Sequence, residues 1–291
     1  VDGTVMDTVD IRLLPGGWDR TGIVVGDNVG GFDVLGDIHG CLHTFNRMLE
    51  VLGYNQDGSH PEGRILVSVG DFIDRGAHSF ETYRRVRGLM DSGRMLSVSG
   101  NHEEKAARWL AKIAVGGEAV YDEFAAKGKA HGLRDTLRQA LDAGEVATAG
   151  AAAFMDRLPH HMLLDGGRLA VVHGALRSDL VGQFGREADS WMLYGAPIGK
   201  RPDGYPERLD WQEHWDGDAF CVAGHTVVSE PRIHPGGGGS LMLDLGAAFG
   251  RNCHDQMTNE PSRPRLGALR WPECDIVEVD VIADDLTEDA R

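Results

Sequence analysis

The amino-acid sequence predicts an α/β fold, because a short apolar strand, a polar loop and an amphipathic helix follow one another three times. Each strand ends at a glycine, which is typical of strands that lead into tight loops. Apolar residues recur at helical spacing after each loop. The three strands are predicted over Phe32–Leu35, Arg64–Val69 and Met95–Ser99, and the helices over Leu42–Leu52, Ser79–Met90 and Lys105–Ile113.

The remaining segments predict a helical part followed by a β-rich part. Residues 1–31 are expected to form an irregular or hairpin-like lead-in, and residues 32–281 to form the main domain. From about 116 to 158 the composition is Ala-rich and helical, and a helical insert or cap is expected over about 104–158 of that domain. Residues 282–291 are expected to be an acidic, solvated tail. Later strands are predicted over His161–Leu164, Arg168–His173, Phe220–Ala223, Ser240–Leu243, Leu266–Trp271 and Ile276–Val281.

Composition bounds the possible functions. The chain has 291 residues, of which 42% are hydrophobic, and a formal net charge of −16. This composition predicts a globular protein with a sizeable core, and no apolar run reaches the roughly 20 residues that a membrane-spanning helix needs. The negative charge argues against non-specific binding to nucleic acid, because such binding requires Lys and Arg against phosphates. The composition does not indicate the oligomeric state.

The cysteines point to a reducing compartment. Cys41, Cys221, Cys253 and Cys274 are widely separated and form no CxxC pair. Neither a zinc ribbon nor a dense disulfide framework is therefore expected. We expect a cytoplasmic protein on this ground.

The loops that follow the predicted strands carry oxygen and nitrogen ligands. The C-terminal ends of parallel strands meet at one sheet edge, where the sites of α/β proteins usually lie. Such ligands suit first-row divalent metals. Two dications about 3.5–4 Å apart can activate water and hold both oxygens of an in-line displacement at phosphorus, so phosphoester hydrolysis is indicated. The candidate residues are Asp37 and His39, then Asp71, Asp74 and Arg75, then Asn101 and His102, and later His173 and His225.

Five motifs resemble those of calcineurin-like metallophosphoesterases, in the same order. Within that superfamily the chain is similar to the phosphoprotein phosphatase branch, because Asp-Arg-Gly is complete and no second His follows two residues after His225. Flanking segments are similar to bacterial PrpE-type phosphatases and diadenosine tetraphosphate hydrolases, and to the phosphatase module of bacterial polynucleotide kinase-phosphatases. The motifs are Gly36-Asp37-Ile38-His39-Gly40, Gly70-Asp71-Phe72-Ile73-Asp74-Arg75-Gly76, Gly100-Asn101-His102-Glu103, Val172-His173-Gly174 and Gly224-His225-Thr226.

The resemblance implies a metallophosphatase fold of two packed mixed β-sheets flanked by helices, and two divalent metal ions. Mn²⁺ is the favoured ion, with Fe, Zn, Ni or Co as alternatives. One ion would be held by Asp37, His39 and a bridging Asp71, and the other by Asp71, Asn101, His173 and His225.

The resemblance also implies catalytic roles. His102 would protonate the leaving oxygen, and Asp74 would orient its imidazole. Arg75 and Arg177, with Asn101, would contact the phosphate. Histidine suits an acid because its pKa lies near working pH, and arginine offers a planar fork for two phosphate oxygens.

The sequence departs from the family pattern near the last strands, and the substrate stays open. Asp244-Leu245-Gly246-Ala247 stands where relatives have Asp-Thr-Gly-Cys, and an extra segment, Arg251–Arg263, follows. This segment is expected to reshape the rim of the site. A phosphomonoester, a Ser/Thr phosphoprotein and a dinucleoside polyphosphate are all compatible substrates. The alternative is a catalytically silent metal-binding or regulatory protein on a phosphatase scaffold, and each motif taken alone could be a helix cap or a turn.

Overall fold

A computed structural model describes residues 30–128, 132–200 and 206–290. Most of the predicted lead-in, and His131, which belongs to one of the segments that carry the family resemblance, lie outside the described residues. Within these ranges two five-stranded mixed sheets form the centre of the protein, with helices on their outer faces. The predicted fold class is confirmed.

The first sheet contains the three strands predicted at the start of the chain. β1, β2 and β3 pair in parallel, and β11 and β12 extend the sheet antiparallel beside β1. The order across the sheet is β12-β11-β1-β2-β3. These strands span Phe32–Leu35 (β1), Ile65–Ser68 (β2), Met95–Ser97 (β3), Arg265–Trp271 (β11) and Asp275–Asp280 (β12).

The second sheet is built from the β-rich C-terminal half. β5, β8 and β10 pair in parallel, with β4 and β9 antiparallel at the two edges, in the order β4-β5-β8-β10-β9. β6 and β7 pair antiparallel in a separate two-stranded sheet. The strands span His161–Leu164 (β4), Leu169–Val172 (β5), Pro197–Lys200 (β6), Pro206–Arg208 (β7), Phe220–Ala223 (β8), Arg232–His234 (β9) and Ser240–Met242 (β10).

The two sheets pack face to face through a core of aliphatic side chains. Val34 and Val67 of the first sheet share one buried cluster with Val171, Val222 and Leu241 of the second. Branched residues on facing sheets bury apolar area from both sides, which stabilises the pair by roughly 25 cal/mol for each Å² removed from water. The packing therefore fixes the position of the strand ends of one sheet relative to those of the other.

The helices cover the outer faces. α1 shows why the sequence forms them: Phe45, Met48 and Leu52 lie on one buried face, and Gly53 ends the helix at φ 93°, a left-handed conformation that glycine adopts without strain. The predicted bounds of this helix are confirmed. The helices span Leu42–Leu52 (α1), Ser79–Asp91 (α2), Asn101–Ala125 (α3), Leu133–Asp142 (α4), Glu145–Met155 (α5) and Arg186–Tyr194 (α6).

The third helix begins earlier than its sequence suggests. α3 begins at Asn101 rather than at Lys105, so Asn101 and His102 lie in its first turn. The side chain of Glu103 makes this start possible, because it accepts a hydrogen bond from the backbone N–H of Gly100 (2.9 Å). Gly117, at φ 56°, interrupts the helix further along.

The acidic end of the chain is not simply solvated, which corrects the expectation for residues 282–291. Asp285 is fully buried, and its carboxylate accepts hydrogen bonds from the backbone N–H groups of His43 (2.9 Å) and Thr44 (2.7 Å). These are unpaired donors at the start of α1, where a carboxylate is stabilising. Among the helices of the described residues, none is long and apolar enough to cross a membrane.

Candidate active site

Loops from both sheets bring the predicted site residues together. Asp37 and His39 follow β1, and Asp71 follows β2. His173 follows β5 and His225 follows β8, so these two come from the second sheet. The site therefore lies where the C-terminal strand ends of the two packed sheets meet.

His39 presents an unshared electron pair towards two carboxylates. Its Nδ1 lies 2.8 Å from the carbonyl oxygen of Ile73, and because a carbonyl only accepts, Nδ1 carries the hydrogen. The neutral ring then has a lone pair at Nε2, which lies 3.5 Å from Asp71 Oδ2 and 3.9 Å from Asp37 Oδ2. Burial lowers the pKa of His39 well below its ordinary value, so the ring stays neutral.

His173 is oriented in the same way on the other side of Asp71. Its Nδ1 donates to the carbonyl oxygen of Val69 at 3.0 Å. Its Nε2 lies 3.1 Å from Asn101 Oδ1, 3.0 Å from His225 Nδ1 and 3.4 Å from Asp71 Oδ2. A backbone carbonyl that fixes one ring nitrogen in this manner is typical of metal-binding histidines.

Asp71 Oδ2 lies between the two histidine groups. His39, Asp71 and His102 offer ligand atoms within 4.8 Å of one another, and so do Asp71, His173 and His225. Carboxylate oxygens and neutral imidazoles are ligands for first-row divalent ions. The donor set therefore fits divalent cations, which these side chains would hold on the two sides of Asp71.

The charges around the site also favour cations. Burial, together with Asp244 and Asp71, raises the pKa of Asp37 well above its ordinary value. Burial likewise raises the pKa of Asp244 to about 6. For Asp71 burial acts in the same direction, but His173 and His102 outweigh it and hold the pKa well below the ordinary value. Buried carboxylates with raised pKa values mark a negative potential that divalent ions would neutralise.

The predicted acid and its partner are in contact. His102 Nδ1 lies 2.6 Å from Asp74 Oδ2, and both side chains are buried. This contact orients the imidazole with Nε2 towards the metal-ligand group, 3.9 Å from Asp71 Oδ2. Arg75 Nη2 lies 3.3 Å from the same Nε2, and its guanidinium lies over the ring of Phe249 at 4.6 Å. His102 and Arg75 therefore face one common space.

Glu103 joins the two loops that carry Asp71 and Asn101, a role that the sequence analysis did not assign. Its carboxylate accepts the N–H groups of Asp71 (2.8 Å), Phe72 (3.0 Å) and Gly100 (2.9 Å). Burial, followed by the charge of Asp71, raises its pKa to about 8. The signal in the sequence was an acidic residue three positions after Gly100, the residue that precedes the helix, which is typical of a capping box.

Backbone strain is concentrated at the site. Nine non-glycine residues of the described ranges have positive φ, and five of them belong to the site: His39, Asp71, Asp74, Arg75 and His225. Left-handed backbone costs a non-glycine residue roughly 1–2 kcal/mol. Strain of this kind collects at functional sites, where the side chain is needed in that position.

Arg177 pairs with two carboxylates outside the predicted site residues. Its guanidinium pairs with Asp179 (2.8 Å) and Glu187 (2.9 Å) and lies over Trp191 at 5.1 Å. In this position the donors of Arg177 already face two carboxylates. Phosphate binding by Arg177 therefore stays a prediction.

A second arginine, without a predicted role, lies against a predicted metal ligand. Arg208 Nη2 lies 2.9 Å from His225 Nε2, and Arg208 also donates to Gln256 Oε1 (3.2 Å) and to the carbonyl oxygen of Tyr194 (3.1 Å). Gln256 belongs to the extra segment. Arg208-Leu209-Asp210-Trp211 is one of the flanking segments that are similar to PrpE-type phosphatases, but only the fold brings this arginine to His225.

Comparisons of the sequence with known proteins agree with this geometry. The profile of the calcineurin-like phosphoesterase family matches residues 31–229. The chain is 35% identical over 256 residues to a bis(5'-nucleosyl)-tetraphosphatase PrpE [asymmetrical] of Anoxybacillus flavithermus, covering 85% of this chain and 93% of the relative. The protein of the same name from Bacillus subtilis is 32% identical over 256 residues, with the same coverage.

Solved structures support the fold. A candidate diadenosine tetraphosphatase superposes with a TM-score of 0.58 at 21% identity, covering 89% of this chain and 98% of that one. A protein serine/threonine phosphatase from Saccharomyces cerevisiae, with similarity to human phosphatase PP5, superposes with a TM-score of 0.54 at 15% identity, covering 91% and 85%.

Proposed function

The chain belongs to the calcineurin-like phosphoesterase family and is a metal-dependent phosphoester hydrolase, and within this family we propose that it cleaves dinucleoside tetraphosphates asymmetrically. The curated relatives that carry this activity in their names align over most of both chains. The alternative of a catalytically silent scaffold is not supported, because every motif position holds a competent ligand or acid.

The substrate proposal rests on these relatives, and the observation that carries metal-dependent hydrolysis is the position of Asp71 Oδ2 between His39 Nε2 (3.5 Å) and His173 Nε2 (3.4 Å). We assign Asp37, His39 and Asp71 to one ion, and Asp71, Asn101, His173 and His225 to the other. When bound, two such ions lower the pKa of water and stabilise negative charge on the phosphoryl oxygens. We propose Mn²⁺ as the working pair, with Fe, Zn, Ni and Co as alternatives.

The side chains supply the rest of the reaction. Attack by water forms one P–O bond in line with the P–O bond that breaks. His102, oriented by Asp74 at Nδ1, gives a proton from Nε2 to the leaving oxygen, and the attacking water loses a proton to solvent. Arg75, on the His102 side, is placed to donate to phosphoryl oxygens.

Arg208 is the second phosphate donor in this proposal. Its hydrogen-bond partners among the described residues, Tyr194, Gln256 and His225, are all neutral. Burial lowers its pKa, yet an arginine keeps its charge in proteins. A partly buried guanidinium without a carboxylate in hydrogen-bond contact, placed beside a metal ligand, is suited to an anionic substrate.

We also propose that residues 32–281 form the catalytic domain and that the protein works in the cytoplasm. The cysteines support the second point, since all four are unpaired and Cys41, Cys221 and Cys253 are buried.

Metal-stripped protein, assayed with and without Mn²⁺ on diadenosine tetraphosphate, tests the function. Asymmetrical cleavage yields AMP and ATP, which chromatography separates from the ADP of symmetrical cleavage. A phosphoserine peptide and p-nitrophenyl phosphate serve as parallel substrates. Mn²⁺-dependent formation of AMP and ATP supports the proposal, whereas ADP alone, or turnover of the peptide alone, would reject the substrate assignment.

A further inference from the structure

The helical insert reaches the proposed leaving-group acid through one hydroxyl group. Thr136, on α4, is fully buried, and its Oγ1 donates a hydrogen bond to Asp74 Oδ1. The other oxygen of that carboxylate, Oδ2, is the one that lies 2.6 Å from His102 Nδ1. Thr136 and His102 therefore hold opposite oxygens of the same carboxylate.

Ser79 completes a closed ring of hydrogen bonds with Asp74 and Thr136. The backbone N–H of Asp74 donates to Ser79 Oγ at 2.7 Å, and Ser79 Oγ lies 2.6 Å from Thr136 Oγ1. The hydrogen of Thr136 is used on Asp74, so the hydrogen between the two hydroxyls comes from Ser79. The carbonyl oxygen of Gly132, a competing acceptor for Thr136, is farther away at 3.4 Å.

The backbone at the start of α4 packs against the same loop. A Cβ atom at Gly132 would lie 2.0 Å from the backbone nitrogen of Arg75, a distance that no side chain tolerates, and Gly132 has φ 88°. The insert thus contacts the Asp74-Arg75 backbone and the Asp74 side chain at separate points. Both contacts come from α4 or from the residue that precedes it.

We propose that Thr136 is a positioning residue for His102, so that the helical insert sets the alignment of the leaving-group acid. The hydrogen bond at Oδ1 restricts rotation of the Asp74 carboxylate about its Cβ–Cγ bond and so keeps Oδ2 in the position that orients His102. The inference rests on the proposed role of His102 as acid. It predicts that the insert affects the reaction more when the leaving group needs a proton.

The test compares Thr136→Val with Thr136→Ser and with Thr148→Val. Valine keeps the shape and removes the hydroxyl, and serine restores the hydroxyl. Thr148 is an equally buried threonine of the insert whose hydroxyl donates to the carbonyl oxygens of Ala140 and Gly144, so it controls for loss of a buried hydroxyl.

Steady-state rates are measured on phenyl phosphate, whose leaving group is poor, and on p-nitrophenyl phosphate, whose leaving group is good. For Thr136→Val we expect kcat to fall about 10- to 100-fold on phenyl phosphate and less than about threefold on p-nitrophenyl phosphate, with KM unchanged. Thr136→Ser should restore both rates. Equal losses on the two esters, or the same pattern in Thr148→Val, would overturn the proposal.

A proton NMR measurement on the metal-free protein separates this inference from the proposed function. The 2.6 Å contact predicts a strongly deshielded His102 Nδ1 proton. Thr136→Val and Ser79→Ala should shift or broaden this signal, and Thr148→Val should leave it unchanged. An unchanged signal in Thr136→Val refutes the positioning role, even if the enzyme hydrolyses neither ester.

Discussion

Replacing Asp71 with Asn tests whether one carboxylate serves both ions. Asp71 Oδ1 accepts the backbone N–H of His102 at 3.0 Å, and the amide oxygen of Asn can keep this bond. The amide nitrogen then takes the place of Oδ2 and donates to the Nε2 lone pair of His39 or His173. The metal-free variant should fold with little loss of stability, because each polar group keeps a partner and one buried charge is removed.

The expected effect lies in metal binding. Loss of a metal-orienting group beyond the ligands themselves costs about 10- to 100-fold in affinity, so loss of a direct ligand should cost at least about 100-fold for each ion. A 100-fold weaker Kd removes about 2.7 kcal/mol of metal-induced stabilisation per ion. For a chain of this size that corresponds to roughly 5 °C or more in Tm per ion.

Thermal unfolding with and without Mn²⁺, followed by calorimetric titration, measures this difference. Asp142→Asn, at an exposed residue that pairs with Arg138, is the matched control and should keep the full metal-induced shift. Turnover should fall by at least about 1,000-fold in Asp71→Asn. Two tight Mn²⁺ sites in Asp71→Asn, with the wild-type shift in Tm, would refute the shared-ligand assignment.

Three further predictions follow from other contacts. Arg208→Ala should weaken inhibition by inorganic phosphate about 10- to 100-fold in competition assays. Gln256→Ala should weaken it in the same direction but less. An unchanged inhibition constant in Arg208→Ala would show that Arg208 does not contact the phosphate. The raised pKa of Glu103, about 8 against an ordinary value of 4.5, means that the folded metal-free protein binds more protons than the unfolded chain between these values. Its unfolding free energy should therefore fall from about pH 4.5 to about pH 8 and level off above, and it should fall less in Glu103→Gln, as followed by urea titration. Asp33→Ala should cost about 3–5 kcal/mol of unfolding free energy in the same titration, because it removes the buried carboxylate that pairs with the Arg64 guanidinium (2.9 Å) and leaves that guanidinium with the half-exposed Glu273 (3.0 Å). A loss below about 1 kcal/mol would contradict this.

Sequence periodicity was sufficient where an element buries one face. α1 has the predicted bounds because its apolar spacing and Gly53 mark both the buried face and the end of the helix. β6 was missed because all four of its residues are exposed, so no alternation of apolar and polar residues marks it. Asp285 was misjudged for a related reason: composition describes a segment as a whole, whereas one carboxylate of that segment pairs with a helix start 241 residues away.

The motifs also predicted which side chains come together in the site. They did not predict which of these side chains form ion pairs with charged neighbours outside it. Asp37, His39, Asp71, Asn101, His102, His173 and His225 converge because each follows a strand or begins a helix, and strand order brings those loops together. Arg177 was predicted from the family resemblance, and its phosphate contact stays a prediction; in the structure its guanidinium pairs with Asp179, two residues further on. Arg208 and Thr136 could not be predicted, because their partners are distant in the chain and only tertiary packing joins them.

The strained backbone of five site residues lowers the stability of the fold, and this cost is kept only while the site is needed. The residues are His39, Asp71, Asp74, Arg75 and His225. Together these positions cost the fold about 5 kcal/mol or more, a large share of the 5–15 kcal/mol by which domains are usually stable. Glycine would relieve the strain at each of them, so a descendant gene freed from catalysis should accumulate glycine there while keeping its core. The same substitutions offer a way to engineer a more stable but inactive scaffold. Their frequency in related genes would distinguish active enzymes from homologues that have lost activity.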